Sequence, residues 1–449
     1  MFPAYLDYLY RLGEFNIKLG LDTIRSMLNR LGNPHNHPRI IHLAGTNGKG
    51  STLKTIEKLL VQSGYKTGST VSPHLVSFNE RFRINGCAID DESLNAAFRQ
   101  VCHACDIDLD LSSSRSRDGK LQPTFFEFAL AMAFVLFEAA GVDFILLETG
   151  LGGRLDATNV IETPLACVIT RIALDHQEYL GDTIDQIAFE KLGILKTGTP
   201  VFIAPQQDSV SRLIQSHCQV EGYSCVSCPE DFFWEERVGR VQFTIRLSGG
   251  SETVDSQIRK EISPRQVGLV GSHQNDNIIT ALAVYTYAVP QDRQLDESTI
   301  ARIIENLSWK GRLQFLGNKN EILLDGAHNA SGMQALLSYL SKEHAEKRIL
   351  FALGWMKNKD LLSVFDLFPC DNITFIPMEI DSDRAENGEV AYSVLKNRSV
   401  IVYPIQKPFE LVMNQMNNKL PDHDLLVVAG SLYLVGAFLA LWEKENFSH

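Results

Sequence analysis

The sequence is short of several things, and each shortage excludes a class of protein. No apolar run reaches the roughly 18 residues that a membrane-spanning helix needs. The nearest, FEFALAMAFVLFEAAG (126–141), carries Glu127 and Glu138 and reads as a buried helix. The amino-terminal stretch lacks the basic residues followed by an apolar block that mark a secretory signal, so a cytoplasmic location is expected. Positive charge is in deficit: 42 Lys and Arg against 54 Asp and Glu give a net charge of −12, which argues against a nucleic-acid surface. Cysteine is sparse, eight in 449 residues. The two C-x-x-C pairs, Cys102/Cys105 and Cys225/Cys228, lie far further apart than the about 15–20 residues of a zinc ribbon, so reduced cysteines are expected. No internal repeat is visible. With 45% hydrophobic and 21% charged residues the composition is that of a globular protein. A monomer acting on small molecules is expected, with neither nucleic acid nor membrane as a partner.

A chain of 449 residues is too long for one core, so two or three domains are expected. Short apolar runs recur, separated by helical stretches. RIIHLA (39–44), FILLE (144–148), LACVIT (165–170) and PVFIA (200–204) form a first series. EILLD (321–325), RILFALG (348–354), NITFIP (372–377), SVIVY (399–403) and DLLVVAGS (424–431) form a second. Such alternation predicts α/β units with mostly parallel sheets covered by helices. Between the two series lies ENLSWKGRLQFLGNKN, rich in Gly, Asn and Lys. The expected division is a domain over 1–308, a hinge at 309–315 and a second domain over 316–449. Two polar segments, 110–120 and 246–257, read as surface loops.

The chemistry begins after RIIHLA. Gly45-Thr46-Asn47-Gly48-Lys49-Gly50-Ser51 resembles a phosphate-binding loop with one glycine, Gly50, inserted between the lysine and the hydroxyl residue. Glycines let backbone N–H groups turn toward phosphate oxygens, and the helix that follows adds its positive end. Lys49 can reach the β and γ phosphates, and the Ser51 hydroxyl can ligate Mg²⁺. The negative net charge requires such local devices if an anionic nucleotide is to bind. Glu148 ends an apolar strand, where ligands of open α/β sheets gather; taken alone it is equally a Mg²⁺ ligand or a solvated acid. Asp175-His176 follows the next strand, and Ser72 precedes Pro73 at the end of another, with the same two readings. Lys191, in IAFEKLGIL, falls on a helix and by itself reads as solvent-facing. Asp325, His328 and Asn329 lie just past a strand of the second series, and Arg312 lies between the series. They can face a nucleotide across an interdomain cleft.

These segments occur in a fixed order: GTNGKGS, SPHL and NER, LETGLGGRLDATN, LDH, FEKLGI, GSHQNDN, KGR and DGAHN. In that order they resemble the folylpolyglutamate synthases and dihydrofolate synthases of the Mur ligase superfamily, over most of the chain. The family's own loop carries the extra glycine. The resemblance implies an α/β fold: an N-terminal P-loop ATPase-like domain with a mostly parallel sheet and a C-terminal Rossmann-like domain. It implies that ATP phosphorylates a carboxylate of dihydropteroate or a reduced folate, and that the amine of L-glutamate displaces the phosphate. Thr46, Asn47, Gly48, Lys49, Gly50 and Ser51 would hold the phosphates. Ser51, Ser72, Glu148 and His176 would ligate two Mg²⁺ ions, together with Lys191 as a carbamate. Asn277 matches an adenine contact, Arg312 and Asp325 match nucleotide contacts, and His328 matches a group near the phosphates or the incoming amine. For the pterin, NIKLGL (16–21), PTFFE (123–127) and DATN (156–159) match binding segments, which offers Lys18, Leu19, Gly20, Thr124, Phe126, Asp156, Ala157 and Thr158. Phe126 either stacks on a flat ring or belongs to the core. The chain departs from the family at Lys310, where proline is usual, at Gln314, where an acid is usual, and at Ser272, where alanine is common. A peptidoglycan Mur ligase and a non-catalytic nucleotide switch are the rival readings. The GLGGRLDATN segment and the pterin-site matches weigh against the first, and the second would not need Arg312, Asp325 and His328.

Overall fold

Ile40–Ala44 is β1, a strand whose five residues are all buried, and its alternation decides which layer each residue joins. Ile40 faces one layer of helices, while Ile41 and Leu43 face the other. A strand covered on both faces reads as a continuous apolar run, and β1 and its neighbours do. A computed structural model of the chain describes residues 4–13, 18–107, 121–237, 239–248, 257–357, 359, 361–368, 372–382, 385–398 and 400–447. The first sheet also contains β2 (Thr67–Thr70), β3 (Phe82–Ile84), β4 (Cys87–Ala88), β5 (Phe144–Glu148), β6 (Ala166–Ile169), β7 (Val201–Ile203) and β8 (Cys225–Ser227). Its order is β4-β3-β2-β5-β1-β6-β7-β8, parallel from β2 through β8, with β3 and β4 antiparallel.

One face carries the helices Asp22–Arg30, Asp91–Cys105 and Phe125–Ala140. The Phe125–Ala140 helix, apolar nearly all round, is buried along its length. Thr124 and Glu127 close its start as a capping box, and Gly141 at φ 60° ends it. The other face carries Lys49–Gln62, Ser272–Ala288 and Glu297–Glu305. A small antiparallel sheet, β9 (Phe232–Arg237), β10 (Arg240–Ser248) and β11 (Gln257–Ile262), packs beside them. The expected loop over 246–257 is too wide: 246–248 belong to β10 and 257 to β11, with 249–256 outside the described residues; the loop expected at 110–120 lies wholly outside them. Mixed, half-exposed strands such as β9 lack the continuous apolar run that made the central strands visible.

The second sheet has the order β12-β13-β16-β14-β15, from β12 (Gln314–Leu316), β13 (Ile322–Leu324), β14 (Ile349–Leu353), β15 (Ile373–Pro377) and β16 (Leu425–Ala429). All neighbours except β12 and β13 run parallel. Among the described residues the strand expected at SVIVY does not form. Val402 and Gln406 make only isolated bridges to Phe375 and Met378, because Pro404 between them offers no N–H for a ladder.

The linker between the sheets is held at both ends. Trp309 lies under two cations of the first unit, with Lys54 Nζ 5.6 Å and the Arg83 guanidinium carbon 5.3 Å from its ring centroid. Beyond it the chain is tied to the second unit. Gly311 N donates to the Gln314 side chain at 2.8 Å, Gly326 N donates to Gly311 O at 2.8 Å, and Leu313 N donates to Asp325 Oδ2 at 2.9 Å. Leu75 of the first unit packs against the apolar core of the second. No helix among the described residues is long and apolar enough to cross a membrane.

Candidate active site

The carboxyl ends of β2, β5, β1 and β6 lie side by side, and each delivers a candidate group to one cleft of about 470 Å³. After β1 the phosphate loop turns through Gly45 and Gly48, with Gly48 at φ 92°. A Cβ on Gly45 would strike the Thr170 hydroxyl, and one on Gly48 the Asn277 side-chain oxygen, so both positions need glycine. Gly50 differs. It lies within the first turn of the Lys49–Gln62 helix, and a Cβ there would stand 3.4 Å from Trp309 Nε1 and 3.8 Å from Glu148 Oε2. The inserted glycine thus leaves the loop open and brings its helix close to the linker tryptophan. Lys49 Nζ donates to Gly45 O at 2.9 Å and Thr46 O at 3.3 Å, and Ser51 is buried at the helix start.

Glu148 ends β5 beside this loop. It is buried and, among the described residues, accepts one hydrogen bond, from Ser72 N at 3.3 Å. Burial raises its carboxyl above the usual range, against the pull of Lys49, Arg312 and Arg81. His176 stands at φ 50° just before the short Gln177–Leu180 helix. Its imidazole is pushed to the neutral form by desolvation, against the pull of Asp175 and with help from the nearby cations Lys359 and Lys191. Lys191 is buried rather than solvent-facing. Its Nζ donates to Gly45 O at 3.0 Å, and burial together with Lys49 lowers its pKa to about 7. No three His, Cys, Asp or Glu side chains among the described residues form a metal cage. Hydroxyls and one underpartnered carboxylate do suit Mg²⁺, which keeps waters and leans on substrate phosphates, whereas the neutral imidazole is a donor better matched to softer ions.

The second unit completes the cleft. Arg312 and Asp325 line it, and both carboxylate oxygens of Asp325 accept backbone N–H groups, from Leu313 at 2.9 Å and Ala327 at 2.8 Å. Asn277, also lining it, donates to Gln274 at 2.9 Å. His328 places Nδ1 2.8 Å from Gly326 O and Nε2 3.4 Å from Asp175 Oδ2. Asp175 also accepts from Asn329 Nδ2 at 3.0 Å and from Lys359 Nζ. Burial alone would raise the Asp175 carboxyl, but His328, His176 and Lys359 hold it well below the usual carboxylate range.

A second cavity of about 260 Å³ adjoins the first, and Ser72, Gly150, His176 and His328 line both. Of the expected pterin residues, Lys18, Leu19, Thr124, Phe126, Asp156 and Ala157 line it. Gly20 and Thr158 do not. Thr158 is fully buried and bridges His42 Nε2 at 2.8 Å to Asp156 at 2.5 Å. Asp156 accepts from Gly150 N, Leu151 N, Thr158 N and the Thr158 hydroxyl, so its carboxylate braces the glycine-rich turn between the cavities. Asp175 was marked with His176 as a strand-end residue, but Arg81 and Lys359 were not singled out by sequence reasoning. Arg81 sits inside the quoted NER segment, whereas nothing local marks Lys359.

A phosphate loop at a parallel sheet, closed by a second α/β unit, is the architecture shared with the Mur-type amino-acid ligases. The Mur ligase middle domain matches residues 118–285, and the dihydrofolate synthetase C-terminal domain matches 312–441. The dihydrofolate synthase/folylpolyglutamate synthase of Bacillus subtilis is 31% identical over 445 residues, covering 97% of this chain and 98% of that relative. Escherichia coli FolC in complex with DHPP and ADP superposes with a TM-score of 0.81 at 25% identity, covering 99% and 98% of the two chains. The bifunctional enzyme of Yersinia pestis, complexed with AMPPNP and manganese, gives a TM-score of 0.78 at 26% identity, covering 97% of each. The chain belongs to the dihydrofolate synthase/folylpolyglutamate synthase family.

Proposed function

We propose that the protein is an ATP-dependent acid–amino-acid ligase that joins L-glutamate to dihydropteroate, a reduced folate or both, releasing ADP and phosphate. The observation that carries this reading is the junction of two unlike cavities. A polar cleft on a phosphate loop opens beside Glu148 into a pocket that holds Phe126, and both share His176 and His328. An acceptor whose aromatic head fills the pocket can present its carboxylate to the γ-phosphate. Family relatives support the substrates: the Escherichia coli structure holds DHPP with ADP, and another holds manganese, AMPPNP and L-glutamate.

In the reaction so read, a carboxylate oxygen of the acceptor attacks the γ-phosphorus and ADP leaves. The glutamate amine, once deprotonated, attacks the acyl carbonyl; the C–N bond forms and phosphate departs. Thr46 to Ser51 supply backbone N–H groups, and Lys49 with Arg312 offset the charge that develops on the phosphoryl oxygens. Mg²⁺, when bound, neutralises and orients the phosphates. Ser51, Ser72, Glu148 and His176 are the groups that would hold it, as two ions, with Lys191 as a carbamate. Asn277 faces the adenine, Asp325 the nucleotide, and His328 the phosphates or the incoming amine. Lys18, Leu19, Gly20, Thr124, Phe126, Asp156, Ala157 and Thr158 form or brace the pterin pocket. The same reading divides the chain into an ATP- and pterin-binding domain over 1–308, a hinge at 309–315 and a glutamate-ligase domain over 316–449. Trp309 is pinned to the first and Gly311 to the second, with Lys310 between them reaching Glu443 of the second unit at 2.9 Å.

The test is incubation with ATP, Mg²⁺ and radiolabelled L-glutamate, once with dihydropteroate and once with a reduced folate. Label in both products is expected. Label in one narrows the enzyme to a single activity. ATP hydrolysis with label in neither returns the choice to another Mur-type ligase.

A further inference from the structure

Residues 171–176 join three parts of the molecule. They are stitched to the phosphate loop: Thr46 N and Asn47 N donate to Arg171 O at 2.9 and 3.1 Å, the Thr46 hydroxyl donates to Ala173 O at 2.9 Å, and Ala173 N donates to that hydroxyl at 3.0 Å. They carry His176. They also carry Asp175, whose side chain is 6% exposed and is met by three side chains of the second unit: Lys359, His328 and Asn329. Asn329 in turn exchanges amide hydrogen bonds with Asn47 of the phosphate loop, at 3.1 and 3.2 Å. One carboxylate therefore gathers three side chains of the second unit at the junction of the cavities.

We propose that Asp175 is a positioning residue that holds His328 and Lys359 at the reaction junction and makes closure of the second unit depend on the shape of the phosphate loop. The inference rests on the ligase reading above. When the units part, Lys359, His328 and Asn329 must leave together, and Asp175 regains water. On closure its charge is desolvated, which is favourable only when those donors arrive. If Asp175 is neutralised, Lys359 is left without its counter-charge, and the closed arrangement loses its central contact. His328 also loses the group that aims its Nε2, since only Gly326 O then fixes the ring.

The experiment is a double-mutant cycle on full-length enzyme, with Asp175→Asn, Lys359→Gln and the double variant. Asparagine keeps the shape and so protects the fold. Each single variant is expected to lower kcat for glutamate ligation on the order of 10²-fold and to raise KM for glutamate more than KM for ATP. The double variant is expected to be no worse than the poorer single one. Small-angle scattering with AMPPNP and Mg²⁺ should show compaction of the wild type and none of Asp175→Asn. Additive losses, an unchanged kcat in Asp175→Asn, or undiminished compaction would each overturn the proposal. A wild type that contracts through Asp175 yet ligates no glutamate would overturn the ligase reading and leave the latch standing.

Discussion

Burial of Lys191 sets up a quantitative test. The side chain is 5% exposed, its amine donates to Gly45 O, and Lys49 lies near. Its pKa falls from 10.5 to about 7. At 1.36 kcal/mol per unit, keeping this amine charged in the fold costs about 5 kcal/mol. The folded pKa lies below the unfolded one, so between about pH 7 and 10.5 the unfolded chain binds more protons, and stability rises with pH across that window. Below pH 7 the penalty is present in full. Lys191→Met should therefore stabilise the protein most near pH 6 and progressively less toward pH 10, read from urea unfolding at each pH. The same shift prepares the amine for CO₂. At pH 7.4 about 70% of such an amine is neutral, against about 0.1% of an ordinary lysine, a gain of nearly a thousandfold. Carbon-13 NMR in labelled bicarbonate should reveal a carbamate carbonyl that appears as pH rises through about 7 and is absent from Lys191→Ala. That variant should lose activity, with acetate or formate restoring part of it. Full activity in CO₂-free buffer, with no Lys191-dependent resonance, would refute the reasoning.

Lys49→Ala should fold normally, with a melting temperature close to wild type, and release no ADP, because it removes the phosphate-reaching cation of the loop; near wild-type ADP release would sink the ATP-site assignment. Gly48→Ala should lose nucleotide binding, since φ 92° and the Asn277 side chain both oppose a Cβ. Gly50→Ala should change stability by only about 1 kcal/mol, as ordinary helical backbone and tolerable contacts allow. Comparable losses in the two variants would show that the steric argument is wrong.

The chemistry of the phosphate loop was legible in sequence because it is contiguous: a buried strand, two obligatory glycines, a lysine and a helix start follow one another within the reach of local sterics. Glu148 and Asp175-His176 were legible as strand ends for the same reason, and so was the division into two runs of strands. Strands β9, β10 and β11 were not, because half-exposed strands carry no continuous apolar pattern. The pairings that make a site of these parts were decided elsewhere. Lys359 meets Asp175 across 184 residues, and Asn329 meets Asn47 across 282. No local signal marks such partners, since a charge finds its counter-charge only where packing of the whole chain removes water. Lys191 makes the same point. Its helix face reads as polar from sequence, yet Ile187, Ala188 and Leu192 dock that helix into the core and carry the lysine under Gly45. Sequence determined which groups stand at the ends of the strands; tertiary burial decided their charge and their partners.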